Sequence, residues 1–260
     1  MKNSFIAWVG GKRLLRKRII AMMPEHHCYV EVFGGGGWVL FGKQPSPVEV
    51  YNDINSNLVT LFRVVKLMLP LFIKRLDMLL KSREEYNAFQ QALKTGIFKN
   101  DMDRAIAFYY CIKNSFGSGI TTGWAFSPTQ PPRKCVTGDL KSAHERLKNV
   151  YIDNLPFERL IHNWDRKNSL FYCDPPYWML IEKKGKSYYQ YTFTAQDHER
   201  LRDMLKGIEG KVIISYDDHP VIRKLYRKFN IHETGPILYT MNNRRNTPER
   251  RVGELIITNF

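Results

Sequence analysis

Leu170-Phe171-Tyr172-Cys173-Asp174-Pro175-Pro176-Tyr177 is an apolar run that stops on an acid, two prolines and a tyrosine. Its first four residues have the make-up of a short buried strand, and Asp-Pro marks the end of it. Two adjacent prolines fix φ and remove two N–H donors, so the carbonyls of Asp174 and Pro175 are held in place and left to accept hydrogen bonds. Asp174 adds a carboxylate that accepts as well. An open α/β sheet holds its ligands at the carboxyl ends of its strands, which is where this tetrapeptide falls. Asp-Pro also makes plain rigid turns after strands, so the run alone leaves both readings open.

Further strands surround it in the sequence. Residues 28–33 (CYVEVF) run into Gly34-Gly35-Gly36-Gly37, and residues 48–51 form a second short apolar run ending in Asn52-Asp53. Asp53 follows Gly34 by a spacing that suits an acid binding ribose hydroxyls at the end of the next strand. The four glycines fit a dinucleotide fingerprint poorly, because Trp38 and Val39 stand where a third spaced glycine belongs. Strand character returns at 150–153, 170–173, 212–215, 237–241 and 254–258. Helices are predicted at 139–148, from Thr194, where Asp197 completes a capping box, and at 221–228. Between these lie a helical block over 55–114 and a Gly/Ser/Thr/Pro-rich stretch over 115–138, long enough to be a binding loop or disordered. The order predicts an α/β, Rossmann-like sheet domain built discontinuously from 1–62 and 148–260, with a helical insert at 63–147.

The formal net charge of +15 favours a polyanionic partner without choosing among DNA, RNA and an acidic membrane. Apolar residues make up 43% of the chain, too many for a disordered one. Cys28, Cys111, Cys135 and Cys173 are scattered, with no metal-binding or disulfide spacing, so no metal is expected and the thiols read as reduced. No signal peptide is apparent. The most membrane-like stretch, 58–80, is interrupted by Arg63, Lys66, Lys74, Arg75 and Asp77, so a cytoplasmic chain without membrane contact is expected.

Trp8-Val9-Gly10-Gly11-Lys12 offers an aromatic, a flexible pair and a cation for the two ends of a small ligand, although Lys12 also fits a solvated basic run. The acceptors around Asp174 and Pro175 suit an exocyclic amino group. Binding both of its hydrogens draws the nitrogen lone pair out of the ring system and towards an electrophile. Tyr177 supplies a stacking face for a base taken from its duplex.

In this order, AWVGGK (7–12), EVFGGGG (31–37), YNDIN (51–55) and LFYCDPPY (170–177) resemble the motifs of the D12 class of DNA adenine-N6 methyltransferases, the group that includes the Dam enzymes. Weaker similarities are IDNLPFERL (152–160), TAQDHERLRDML, KVIIS and ELIITNF. Val32 stands where many relatives carry Pro, and Pro156 where Dam enzymes often carry Asp.

The resemblance implies an S-adenosylmethionine-dependent enzyme acting on DNA, expected to be double-stranded, by direct transfer to a flipped adenine without a metal. It makes Lys12 the partner of the cofactor carboxylate, with Trp8, Gly10 and Gly11 beside it. Glu31, Phe33, Gly34, Gly35 and Gly36 surround the methionine portion, and Asp53 takes the ribose hydroxyls. Asn154 and Phe157 flank the cofactor adenine, while Asp174, Pro175, Pro176 and Tyr177 form the catalytic set, with Asp174 also near the cofactor. The insert is implied to read the DNA sequence, with Lys113, Asn114, Arg133 and Lys134 as contacts and Arg244, Arg245, Arg250 and Arg251 as a second group. Its sequence does not reproduce the Dam segment for GATC. Transfer to cytosine N4, RNA adenine or a protein glutamine, or an inactive DNA-binding relative, are the alternatives. The charge disfavours a protein substrate, and the motif order disfavours RNA.

Overall fold

In the computed structural model, residues 3–8, 10–115, 123–127, 129, 138–182, 193–238 and 251–260 are described. Seven strands form one sheet: β1 (Cys28–Glu31), β2 (Val48–Asn52), β3 (Val150–Asp153), β4 (Ser169–Cys173), β5 (Lys211–Asp217), β6 (Asn230–Leu238) and β7 (Arg251–Thr258). Their order is β3-β2-β1-β4-β5-β7-β6. The first five are parallel, and β7 runs antiparallel between β5 and β6. Chain order reverses across β1 and β4, and such a switch point opens a crevice at the carboxyl ends of those two strands.

Strand residues alternate between two cores, as the two-residue period of a strand requires. Tyr29, Tyr51, Leu170, Tyr172 and Ile213 face one side. Val30, Val50, Phe171, Ile214 and Ile257 face the other. The second side is covered by α7 (Phe157–Trp164), α9 (Ala195–Lys206) and α10 (Pro220–Leu225), through Leu160, Leu201 and Ile222. The expected capping box opens α9, with Thr194 Oγ1 accepting from the Asp197 N–H and the Asp197 carboxylate accepting from the Thr194 N–H.

The first side carries α3 (Ser56–Asp77), α4 (Arg83–Thr95), α5 (Asp101–Asn114) and α6 (Asp139–Leu147). Asn55 caps α3, and Pro70 lies just past a break at Met68, whose φ of −133° is not helical. The expected boundary between 62 and 63 falls inside α3. Leu58, Phe62, Val65, Phe108 and Leu147 share one core with the sheet residues Tyr29 and Tyr51, so the helical segment forms a layer of the sheet domain. By length and composition α3 could cross a membrane, yet 56% of its apolar window is buried inside this core.

Five elements differ from the sequence reading. The short α1 (Arg16–Ala21) precedes β1, α2 (Trp38–Gly42) directly follows the glycines, α7 follows Pro156, and α8 (Met179–Glu182) comes just after the double proline. β6 starts at Asn230 rather than near 237. Its early residues are polar because it is an edge strand, and Pro236 is accommodated at a register shift after Glu233.

Candidate active site

At the crevice, Asp174 directly follows strand β4. Its Oδ1 lies 2.7 Å from Lys12 Nζ and accepts a second hydrogen bond from Ser215 Oγ at 2.9 Å. Ser215, on β5, also meets the Tyr172 hydroxyl at 2.9 Å. Lys12 is buried. Its ammonium donates to the Gly10 carbonyl at 3.1 Å and sits 4.5 Å from the centre of the Tyr177 ring. Burial raises the Asp174 pKa, while Lys12 and Ser215 pull it back. Among the described residues, no backbone donor bonds the Asp174 or Pro175 carbonyl, the arrangement that the double proline predicts. The segment beyond is fixed by Asp217 at the end of β5, whose carboxylate accepts from the N–H groups of Trp178 (3.1 Å) and Met179 (3.0 Å).

The glycine loop leaves β1 beside this centre. Gly34 admits no side chain, because a Cβ would lie 2.2 Å from the Tyr51 ring. Gly35 has φ +49°, a conformation that glycine adopts without steric cost, and Trp8 packs against it. The Tyr51 hydroxyl donates to the Gly35 carbonyl at 2.7 Å. Asp53, at the end of β2, accepts from the N–H groups of Gly35 and Asn55, each at 2.8 Å. A carboxylate has about four acceptor sites, so these two bonds leave room for hydroxyl donors. Glu31 is buried, with Oε2 accepting from the Tyr29 hydroxyl and the Leu40 N–H, each at 2.8 Å. Desolvation pushes it up to about 8.

Around the β2–β3 end, Asn154 donates to the Asp53 carbonyl at 2.7 Å and accepts from Ser56 Oγ at 2.8 Å. Phe157 is buried against Phe33 and Phe193, with ring centres 5.8 and 5.9 Å away. The structure therefore brings Trp8, Gly10, Gly11, Lys12, Glu31, Phe33, Gly34–Gly36, Asp53, Asn154, Phe157 and Asp174 to one edge of the sheet.

The expected DNA contacts fare differently. Lys113 sits in the last turn of α5, its ammonium 5.3 Å from the Tyr109 ring. Asn114, expected to meet phosphate or a base edge, is instead buried, and its side-chain amide donates to the Tyr110 carbonyl at 2.9 Å. It closes the end of α5, the usual recourse of an amide side chain at a buried helix terminus. Arg133, Lys134, Arg244, Arg245 and Arg250 lie outside the described residues, as does the side chain of Arg251.

Sequence reasoning missed Ser215, Asp217, Glu254 and Asn52. Asn52 is buried, donating to the Val32 and Leu155 carbonyls at 2.9 and 3.1 Å and so joining β1, β2 and the 154–157 turn. The available signal was polar residues closing an apolar strand, as in IISYDD. Among the described residues no group of three His, Cys, Asp or Glu could hold a metal ion.

Residues 8–237 match the D12 class N6 adenine-specific DNA methyltransferase family. This chain belongs to that family. A type II methyltransferase of Lactococcus lactis subsp. cremoris is 28% identical over 98% of this chain and 95% of its own length. The DNA adenine methylase of Escherichia coli K12 is 24% identical over 88% and 86%. The retron Ec67 DNA adenine methylase of Escherichia coli is 25% identical over 88% and 82%. The chain is thus an adenine-specific DNA methyltransferase with an α/β fold, and DNA is its substrate. The matched span takes in Lys12, the glycine loop, Asp53 and Asp174–Tyr177, and stops before β7.

Proposed function

We propose that this methyltransferase transfers methyl from S-adenosylmethionine to N6 of an adenine flipped from double-stranded DNA, at the crevice where Asp174, Pro175 and Lys12 meet. The observation that carries this reading is the pairing of open acceptors on Asp174 and Pro175 with a buried ammonium 2.7 Å from the same carboxylate. The residues present suit the cofactor by their chemistry: a buried cation for a carboxylate, an acid at the end of β2 with acceptor sites to spare, and glycine backbone between the two. The cofactor supplies an electrophilic methyl on a sulfonium. In the transfer an N–C bond forms at N6, the S–C bond breaks with its electron pair going to sulfur, and N6 releases one proton.

The protein positions and polarises. Asp174 and the Pro175 carbonyl accept from the two N6 hydrogens and concentrate the lone pair on nitrogen. Tyr177 stacks on the flipped base, a contact worth about 1–3 kcal/mol. Lys12 and Trp8 hold the carboxylate end of the cofactor. Asp53 takes the ribose hydroxyls, and Asn154 and Phe157 border its adenine. Gly10, Gly11, Glu31, Phe33 and Gly34–Gly36 shape the space for the methionine portion, and Pro176 stiffens the turn. The segment 63–147 reads the DNA sequence, with Lys113, Arg133 and Lys134 as contacts. Arg244, Arg245, Arg250 and Arg251 add basic contacts to phosphate. Such an enzyme works where DNA and the cofactor meet, inside the cell.

The test is incubation with methyl-labelled S-adenosylmethionine and mixed-sequence duplex DNA, followed by methylation-aware sequencing. N6-methyladenine at one recurring sequence is the expected product. Label on cytosine, or none on DNA, would overturn the reading.

A further inference from the structure

Glu254 lies behind the proposed methyl-transfer centre and has no role in the reading above, on which this inference rests. On β7 it sits opposite Asp217 of β5 in the antiparallel register. It is buried, at 1% exposure, and among the described residues neither carboxylate oxygen has a hydrogen-bond partner. The Tyr177 hydroxyl faces it and lowers its pKa, without forming a regular hydrogen bond. A buried acid without a regular hydrogen bond costs stability, so its position calls for a reason.

The groups around it supply one. Lys12 comes from the amino-terminal segment, Tyr172 from β4, Asp174 and Tyr177 from the segment after β4, and Asp217 from β5. Lys12 is the single cation in that set, and it already bonds Asp174. The charge of that one ammonium acts on both carboxyl groups, and it also lies over the Tyr177 ring. Burial pushes Glu254 up to about 7, with Lys12 pulling it down and Asp174 pushing it further up.

We propose that Glu254 is a positioning residue for methyl transfer: when ionised it shares the Lys12 ammonium with Asp174, orients the Tyr177 ring and sets a negative charge behind the reacting nitrogen. Positive charge passes from sulfur to N6 as the N–C bond forms, before the proton leaves. A fixed anion in a water-poor site stabilises that charge without reorganising. When Glu254 is neutral, Asp174 is the one ionised protein carboxyl in the set left to draw on the Lys12 charge, which weakens it as an acceptor.

The experiment is single-turnover methylation of duplex DNA with S-adenosylmethionine in excess, followed across neutral pH for wild type, Glu254→Gln, Glu254→Asp and Asp174→Ala. In wild type the rate constant rises about tenfold through an inflection near the Glu254 pKa. E254Q runs flat near the low-pH wild-type level with DNA affinity little changed, and E254D keeps an inflection. A role in packing alone would lower the rate at every pH alike. A flat wild-type profile, or an inflection that persists in E254Q, overturns the inference. Should E254Q fail to fold, the wild-type and E254D profiles decide it. If D174A is inactive while E254Q matches wild type, only the role of Glu254 falls. An active D174A removes the underlying reading as well.

Discussion

Asp53 follows β2 and Asp174 follows β4, one on each side of β1, and the two carboxylates are held in different ways. Asp53 accepts from the backbone N–H groups of Gly35 and Asn55. Asp174 is held by side chains, the Lys12 ammonium and the Ser215 hydroxyl. Burial raises both pKa values. A carboxylate bound by backbone is part of the loop's architecture and cannot leave without loosening it. One bound by side chains can exchange partners when a ligand arrives. On the proposed function, the β2 end is a cradle and the β4 end the place of reaction.

The largest effect that tests this division is loss of Asp174. Asp174→Ala should lower methyl transfer by about a thousandfold or more, the scale expected when a preorganised acceptor at the reacting atom is removed. The fold, by circular dichroism, and DNA affinity, by fluorescence anisotropy, should be nearly unchanged. A mutant with near-normal turnover would remove Asp174 from the chemistry and the contrast with it.

Next in size is a stability effect at the β4 end. A carboxyl whose pKa is raised by folding binds protons more tightly in the native state. Its contribution to stability is therefore fullest below the unfolded-state pKa, declines as pH rises, and is lost above the folded value. For Glu254, whose pKa moves from 4.5 to about 7, the loss is about 3 kcal/mol by pH 8. Glu254→Gln should accordingly raise the melting temperature at pH 8 and leave it nearly unchanged at pH 4. Equal shifts at both pH values would mean that Glu254 does not carry a buried charge, and the β4 end would lose its claim to electrostatic strain.

Asp53→Ala should act on the cradle. Two backbone N–H groups lose their acceptor, so stability falls by about 1–2 kcal/mol. S-adenosylmethionine should bind about tenfold more weakly by calorimetry, which corresponds to roughly 1.4 kcal/mol. Unchanged affinity with a loosened fold would make Asp53 purely architectural, and unchanged stability would break the claim that backbone bonding distinguishes it.

How much of this was legible follows the same line. The five parallel strands announced themselves through apolar runs ending in polar residues, and the capping box at Thr194 was readable because its two partners are three residues apart. Asp53, Lys12 and Asp174 stood out because each closes or follows a recognisable motif. What escaped was set by pairing across long sequence distances. Glu254 belongs to the centre only because β7 inserts antiparallel beside β5, and nothing in RRVGELIITNF records that neighbour. Asn114 looked like a polar residue free to meet a base, yet its helix end is sealed by the Tyr110 carbonyl and by the backbone of Ala125. The sharing of one core by the helical layer and the sheet was equally invisible, since periodicity shows that a face is apolar and not what covers it.

The smallest effect is the most exacting test of a side-chain-held carboxylate. Ser215 bridges the Tyr172 hydroxyl and Asp174 Oδ1, and its hydrogen bond pulls the Asp174 pKa down. Ser215→Ala leaves Asp174 with Lys12 and raises its pKa further, so a larger fraction is protonated at the acid end of the working range. Methyl transfer should fall about threefold near neutrality, and the deficit should widen as pH is lowered and shrink as it is raised. If Asp174 can exchange partners as a side-chain-held group should, Lys12 alone suffices to keep it oriented as pH rises. A serine variant as damaged as D174A at every pH would show that the β4 end is as rigidly built as the β2 end, and that the two carboxylates differ in their partners but not in their freedom.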